Sequence, residues 1–270
     1  MTILITGATG LVGARLVPRL IEAGIDCRAL VRAGKEAPVG AESVEGDLFD
    51  SSTLARAVDG VSDVVHLAAV FRTQDTDLIW KSNLEGTRNL ISAVNTHAPE
   101  ARFVLASTST VYEDGPYPGR EDDELEPRQP YPASKVAAEQ ELRESGLNWT
   151  VLRFPFVYGD GDGHLEALPG LARALELHPA TRLSTIHHRD IAAAVMLALD
   201  GVFDGRIVNI TDEAPTSIYE LASLVGEPLA PSSEPLETPW RFHVDGALAR
   251  SLGFKPSVRT VYQALEEGLM

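Results

Sequence analysis

The amino-acid sequence predicts an α/β fold: a doubly wound parallel sheet followed by a smaller, discontinuous C-terminal lobe. Three observations carry that prediction. An apolar stretch at residues 3–5 runs into glycines at positions 7, 10 and 13, and then into an apolar-periodic segment that ends at Gly24. Strand-like and helix-like segments alternate from there to about residue 155, as parallel strands joined by crossover helices do. Beyond residue 156 the alternation gives way to turn clusters and a proline-rich stretch.

The opening strand, turn and helix form one unit. Gly7 lets the chain turn off the strand, Gly10 leaves room for backbone to approach a phosphate, and Gly13 lets the helix lie close to the strand. Thr9, Leu11 and Val12 belong to the same turn. The helix start offers N–H groups and a positive dipole end to a pyrophosphate.

Residues 25–31 read as a second strand that ends at Arg32, and residues 44–47 as a short third one that ends at Asp47. A helix over 51–58 has Ser51 or Ser52 as its N-cap. The fourth strand runs over 61–69 into a turn of small residues. One helix begins near Thr76, another spans about 83–96, and the fifth strand covers 102–107. Residues 113–130 are rich in Pro, Gly, Asp and Glu and predict a surface loop. A helix follows over 131–145, with Pro132 in its first turn and Gly146 after its end. The sixth strand spans 149–154.

Later elements are less regular. Residues 159–163 form a glycine turn cluster and 165–177 a helix. Asp190 is expected to cap an almost wholly apolar, buried helix over 191–199. A strand over 206–210, a helix start with Glu220 placed for a capping box, a strap over 228–239 and a helix over 258–269 complete the chain. A dinucleotide-binding domain over 1–155 is expected, with elements near 185–210 returning to it. Residues 156–270 then supply most of a substrate-binding lobe.

Composition narrows the function. The 270 residues carry a net charge of −16 and no basic patch, which argues against nucleic acid. The apolar runs are too short to span a bilayer. Cys27 is the single cysteine, so neither disulfides nor a thiolate cluster is available, and a reducing cytoplasm fits. The N-terminal stretch reads as a core strand rather than a signal peptide. His66, His187 and His188 lack carboxylate or thiolate partners at ligand spacing, so no metal is expected.

Two further groups of residues carry chemistry. Tyr131 and Lys135 stand at i and i+4 on a helix and share a face. An ammonium beside a phenol favours phenolate, so Lys135 is expected to lower the Tyr131 pKa and make it a usable acid/base. Ser107, Thr108, Ser109 and Thr110 follow the fifth strand at the edge where open α/β sheets bind ligands.

Together these residues resemble the short-chain dehydrogenase/reductase superfamily, and within it the extended, NAD-dependent epimerase/dehydratase-like branch with its Rossmann fold. The resemblance implies Tyr131 as catalytic acid/base, Lys135 as its partner and a hold on the nicotinamide ribose, and Thr108 as the catalytic hydroxyl, with Ser107 beside it. It further implies Asp47 and Leu48 at the adenine, and Leu67, Ala68 and Ala69 along the ribose and phosphate. Asn83 would lie behind the active site among the cofactor-binding residues, Pro155 and Val157 near the nicotinamide, and His188 in a late histidine–aspartate stretch on the substrate side. Relatives often pair through the helices at about 83–97 and 131–145, so a homodimer is compatible with the sequence.

Two positions bear on specificity. Arg32 stands just past the second strand, where an acid would bind the ribose hydroxyls of NAD. An arginine there suits a 2′-phosphate, so NADP(H) is preferred and NAD(H) stays open. Phe156 stands where sugar-nucleotide members of the branch carry an asparagine that faces substrate phosphates, and an aromatic ring cannot donate to a phosphate. The expected activity is therefore hydride transfer between nicotinamide and a carbonyl or secondary alcohol of a small molecule. A sugar-nucleotide epimerase or dehydratase with tightly bound NAD is the alternative, and a non-catalytic nucleotide-sensing regulator a more distant one. The 113–130 loop and the lobe after Gly159 are expected to close over the substrate.

Overall fold

The structure is a computed structural model and describes Met1–Met270. In chain order the elements begin with β1 (Thr2–Thr6), α1 (Gly13–Glu22), β2 (Asp26–Val31), β3 (Glu42–Glu45), α2 (Ser51–Val58), β4 (Asp63–His66) and α3 (Thr76–Trp80). After a π-helical turn over Lys81–Glu85 come α4 (Gly86–His97), β5 (Arg102–Thr108), α5 (Pro130–Arg143), β6 (Asn148–Phe154), β7 (Phe156–Tyr158) and α6 (His164–Ala174). The chain continues with β8 (Arg182–Leu183), β9 (Thr185–His187), α7 (His188–Leu199), β10 (Arg206–Asn209), β11 (Thr216–Ser217), α8 (Ile218–Leu224), α9 (Ala247–Ser251) and α10 (Val261–Glu266).

Seven parallel strands form one sheet in the order β10-β6-β5-β4-β1-β2-β3. The chain winds outward from β1 through β2 to β3, then returns to lay β4 on the other side of β1. The strand order reverses between β1 and β4, and open sheets bind ligands in the crevice at that point. Alternate residues of each strand serve opposite faces. Ile3 and Ile5 pack with α1 and α7 on one face, and Leu4 packs with α2, α4 and α5 on the other. A third apolar cluster comes wholly from residues between Tyr158 and Ala264 and joins α6, α8 and α10. No helix is long and apolar enough to cross a membrane.

Four local expectations need correction. Asp50, not Ser51 or Ser52, caps α2, its carboxylate accepting from the amides of Ser52 and Thr53. The helices expected near residues 76 and 83 form one run, joined through the π-helical turn. Asp190 caps nothing: α7 starts two residues earlier, and the His187 Nδ1 accepts the Arg189 amide at its N-terminus. Asp190 instead accepts from the Ser257 amide (2.6 Å), the Ser257 hydroxyl (2.8 Å) and the Val258 amide (3.0 Å). The terminal helix is shorter than expected because Thr260 caps it, starting α10 at Val261.

Candidate active site

The glycine turn sits against the end of β4. A Cβ on Gly7, which has φ +72°, would lie 2.7 Å from the Ala68 nitrogen, and one on Gly13 would lie 2.2 Å from the Gly7 carbonyl. Gly10 is crowded only by that carbonyl, at 3.2 Å, and is exposed along with Thr9. Leu11 and Val12 are half-buried, and α1 opens with no capping side chain and no acid in its first turn. A helix end with free donors and no carboxylate suits an anion supplied from outside. Leu67 and Ala68 are half-buried and Ala69 is exposed beside this turn.

A buried network fixes the two strand ends that flank the crevice. Thr87 gives its one hydroxyl hydrogen to the Asn83 carbonyl (2.6 Å), so it accepts from His66 Nε2–H (2.9 Å). The bare His66 Nδ1 then accepts from the Thr6 hydroxyl (2.6 Å), and Thr6 accepts the Ala68 amide (3.3 Å). Burial, with Lys135 adding repulsion, pushes the His66 pKa down to about 3, so the imidazole is neutral.

Asn83 was expected among the cofactor contacts, but both of its amide hydrogens are engaged within the protein. Its Nδ2 donates to the Val70 carbonyl (2.9 Å) and the Ser134 hydroxyl (3.0 Å), while its Oδ1 accepts the Val70 amide (2.8 Å). The π-helical turn turns this side chain inward. Asn83 thereby ties the segment after β4 to α5.

Tyr131 and Lys135 face the same crevice from α5, with Thr108 at the end of β5. Thr108 is 8% exposed, and its hydroxyl pairs with that of Thr110 at 2.9 Å. The expected lowering of the Tyr131 pKa is not found. Burial raises it to about 12, and the Thr108 side chain offsets only part of that. Burial also pulls the Lys135 ammonium down to about 8, with Glu139 holding it up. Desolvation penalises both charged forms, and neither group's shift is set by the other. Lys135 is 2% exposed, and its ammonium makes no hydrogen bond within the chain. Ser107 is not free to meet a ligand, because its hydroxyl donates to the buried Glu139 carboxylate.

The far wall joins Phe156 and Val157 to Phe71, Arg72 and His164, three residues that the sequence did not single out. Phe71, after β4, packs on the Tyr131 ring with centroids 5.5 Å apart. Arg72 stacks on Phe71 and donates to His164 at the start of α6. His164 gives its Nδ1–H to the Val157 carbonyl (3.0 Å), so its Nε2 is the acceptor, and its ring lies 5.6 Å from that of Phe156. These groups come from loops and strand ends distant in sequence, and no short motif marks them. His188, expected on the substrate side, is instead 2% exposed and bonded through Nε2 to Asp162 at 2.8 Å. Pro155 is buried, and Phe156 and Val157 are half-buried.

At the nucleotide end, Arg32 is exposed and its guanidinium has no partner in the chain. Asp47 is exposed and accepts the Phe49 amide (2.9 Å), and Leu48 packs on Gly86. The 113–130 loop is pinned rather than free. Gly119 exchanges backbone bonds with His243 and Asp245 (2.9 and 2.8 Å), and Glu121 accepts the Asn209 amide (2.8 Å). No three His, Cys, Asp or Glu side chains are placed to hold a metal ion.

Comparison with known proteins follows the same lines. The model of the NAD dependent epimerase/dehydratase family matches residues 3–211. A 4-hydroxy-2-methyl-3-oxo-4-farnesyl-3,4-dihydroquinoline-1-oxide ketoreductase of Stigmatella aurantiaca is 29% identical over 246 residues, spanning 84% of this chain and 73% of the relative. A 3 beta-hydroxysteroid dehydrogenase/Delta 5-->4-isomerase of Mycobacterium tuberculosis is 30% identical over 260 residues, spanning 83% of this chain and 68% of the relative. The crystal structure of a short-chain dehydrogenase/reductase superfamily protein from Agrobacterium tumefaciens with bound NAD matches with a TM-score of 0.81 at 27% identity, covering 99% of this chain and 95% of that one. The chain belongs to the NAD-dependent epimerase/dehydratase family and is an enzyme of the short-chain dehydrogenase/reductase type.

Proposed function

We propose that this enzyme transfers hydride between a nicotinamide dinucleotide and a carbonyl or secondary alcohol of a small molecule. The observation that carries the reading is Lys135. Its side chain is almost wholly buried, its ammonium has no acceptor within the chain and so is free to take one from a ligand, and it lies one helical turn from Tyr131. Ribose hydroxyls are acceptors of the right kind. The glycine turn, crowded on the protein side and free of carboxylates, would receive the pyrophosphate, with Leu67, Ala68 and Ala69 alongside. The nicotinamide, when bound, supplies or takes up the hydride.

The chain's own residues handle the proton and the position. With a pKa raised to about 12, Tyr131 carries its proton at neutral pH, the form that the reducing direction requires. It donates that proton to the substrate oxygen while Thr108 hydrogen-bonds the same oxygen, and Lys135 stabilises the phenolate left behind. The Phe71 and Phe156 rings give the cleft apolar walls, which suits an uncharged carbonyl compound better than a sugar diphosphate. The ketoreductase and steroid dehydrogenase relatives support that choice. Arg32, unpaired at the end of β2, favours NADP(H) over NAD(H).

The test is the Tyr131→Phe variant. Turnover of a ketone panel should fall at least about a thousandfold while the dissociation constant for the reduced nucleotide stays within about threefold. Retained turnover would overturn the Tyr131 assignment. Tightly held NAD released by denaturing the purified protein would favour an epimerase or dehydratase, in which the cofactor is recycled in place.

A further inference from the structure

Glu139 lies four residues beyond Lys135 and eight beyond Tyr131, on the same face of α5. It is 2% exposed, and its carboxylate accepts three hydrogen bonds from two other elements. Ser107, from the end of β5, donates to Oε1. Arg153, from β6, forks onto both oxygens, with Nε at 3.1 Å from Oε1 and a terminal nitrogen at 2.6 Å from Oε2. The other terminal nitrogen donates to the Tyr112 hydroxyl (2.8 Å), and Tyr112 donates to Asn209 Oδ1 on β10 (2.8 Å). Ser107 and Arg153 are register partners on adjacent strands, as are Thr108 and Phe154 one residue further on.

A buried ion pair of this kind is weak evidence for stability, because desolvation of both charges offsets their attraction. What it does supply is fixed geometry and a carboxylate held in its charged form. Both fall where the site needs them. The geometry joins the three elements that present Thr108, Tyr131 with Lys135, and Pro155. The charge stands one turn from Lys135, whose surroundings are otherwise unfavourable to an ammonium. The groups facing Lys135 are Tyr131 and Glu139 on its own helix and His66 on β4, with Arg153 on β6 behind Glu139. His66 is neutral, so Glu139 is the one negative charge among them.

We propose that Glu139 is a positioning residue of this active site: it locks the Tyr131/Lys135 face of α5 to the ends of β5 and β6 and sets a carboxylate one helical turn from the Lys135 ammonium. The inference rests on the reading of Lys135 as the group that holds the cofactor ribose and stabilises the Tyr131 phenolate. Arg153 completes the device by neutralising Glu139 at its far side, which lets a carboxylate persist in the core.

The chain has four lysines, Lys35, Lys81, Lys135 and Lys255, so their side-chain titrations can be followed singly by NMR of protein labelled with 13C at the lysine ε-carbon. Lys135→Met assigns the signal. In the cofactor-free wild type, Lys135 should titrate near pH 8. Glu139→Gln removes the negative charge and leaves Arg153, so the midpoint should fall by at least about one pH unit, a tenfold weaker hold on the proton. Because that variant strands a buried guanidinium and is at risk of not folding, Glu139→Gln/Arg153→Met is the second variant. It removes both charges and should titrate between the other two. Glu139→Asp retains the charge and should return the midpoint to within a few tenths of a unit of wild type. An unchanged midpoint in the folded double variant would overturn the proposal. A further readout is the alkaline limb of the reduced-nucleotide binding curve, which should move down with Lys135. A wild type that binds no nicotinamide nucleotide would sink the functional reading instead, while the NMR titration still decides the role of Glu139.

Discussion

Arg72 and His164 meet across the mouth of the candidate site, the guanidinium donating to the imidazole Nε2. One belongs to the loop after β4 and the other to the first turn of α6, so this contact bridges the sheet and the later elements. Arg72 lies over the Phe71 ring, which in turn packs on Tyr131. A substrate that reaches Tyr131 from this side would pass the bridge. Arg72→Met keeps the apolar stem but removes the donor. With a ketone that the wild type reduces, KM should change by about tenfold and kcat by less than about threefold, the pattern of altered binding rather than altered chemistry. Steady-state kinetics decide it, and unchanged KM would show that substrate does not pass this pair.

The glycine turn separates fold from function. A Cβ at Gly13 collides with the Gly7 carbonyl, so Gly13→Ala should cost about 1–3 kcal/mol of stability as well as nucleotide affinity. A Cβ at Gly10 meets that carbonyl only at 3.2 Å and otherwise points away from protein. Gly10→Ala should therefore unfold within about 1 kcal/mol of wild type in denaturant yet bind reduced nucleotide at least about tenfold more weakly. Equal losses in both assays for Gly10→Ala would contradict a phosphate seat there.

His66 sets a pH dependence of stability. Its folded pKa, near 3, lies below the unfolded value of about 6.5. Above pH 6.5 both states are neutral there and the residue contributes no slope. Below it the unfolded chain binds a proton that the native state refuses, so stability falls with pH by up to about 1.4 kcal/mol per unit until the folded pKa is reached. In His66→Gln, the loss of stability between pH 7 and pH 5 should be smaller than in the wild type, as read from urea unfolding at each pH.

Asp190 clamps the C-terminal part of the chain. Its buried carboxylate is the only acceptor of the Ser257 and Val258 amides among the side-chain contacts at that turn. Asp190→Ala leaves those donors unpaired and should cost about 3 kcal/mol. Limited proteolysis should then cut near residues 252–260 first, where the wild type resists.

The sheet was legible because its signals are local. Apolar runs, glycine punctuation and helix-period segments each occupy a few residues, and their alternation leaves little choice of topology. Tyr131 and Lys135 were legible for the same reason, since one helical turn joins them. Their electrostatics were not, because desolvation depends on the whole fold. The Arg72–His164 bridge joins residues 92 positions apart, and Glu139 is one of two acids in its helix until β5 and β6 close on it. Asp190 looks like a cap in sequence, since an acid before an apolar helix usually is one. Its partners at 257 and 258 become visible only when the chain has returned to it.

The backbone at Asp160 and Gly161 carries a consequence for the order of assembly. Their amides donate to the carbonyls of Leu269 and Met270 (3.0 and 2.9 Å), and His187 Nε2 donates to Leu269 as well (2.9 Å). The same turn receives Arg15 and Arg19 from α1 and leads directly into His164. That turn is completed only by residues 269 and 270, so this wall beside α1 cannot close on a shorter nascent chain.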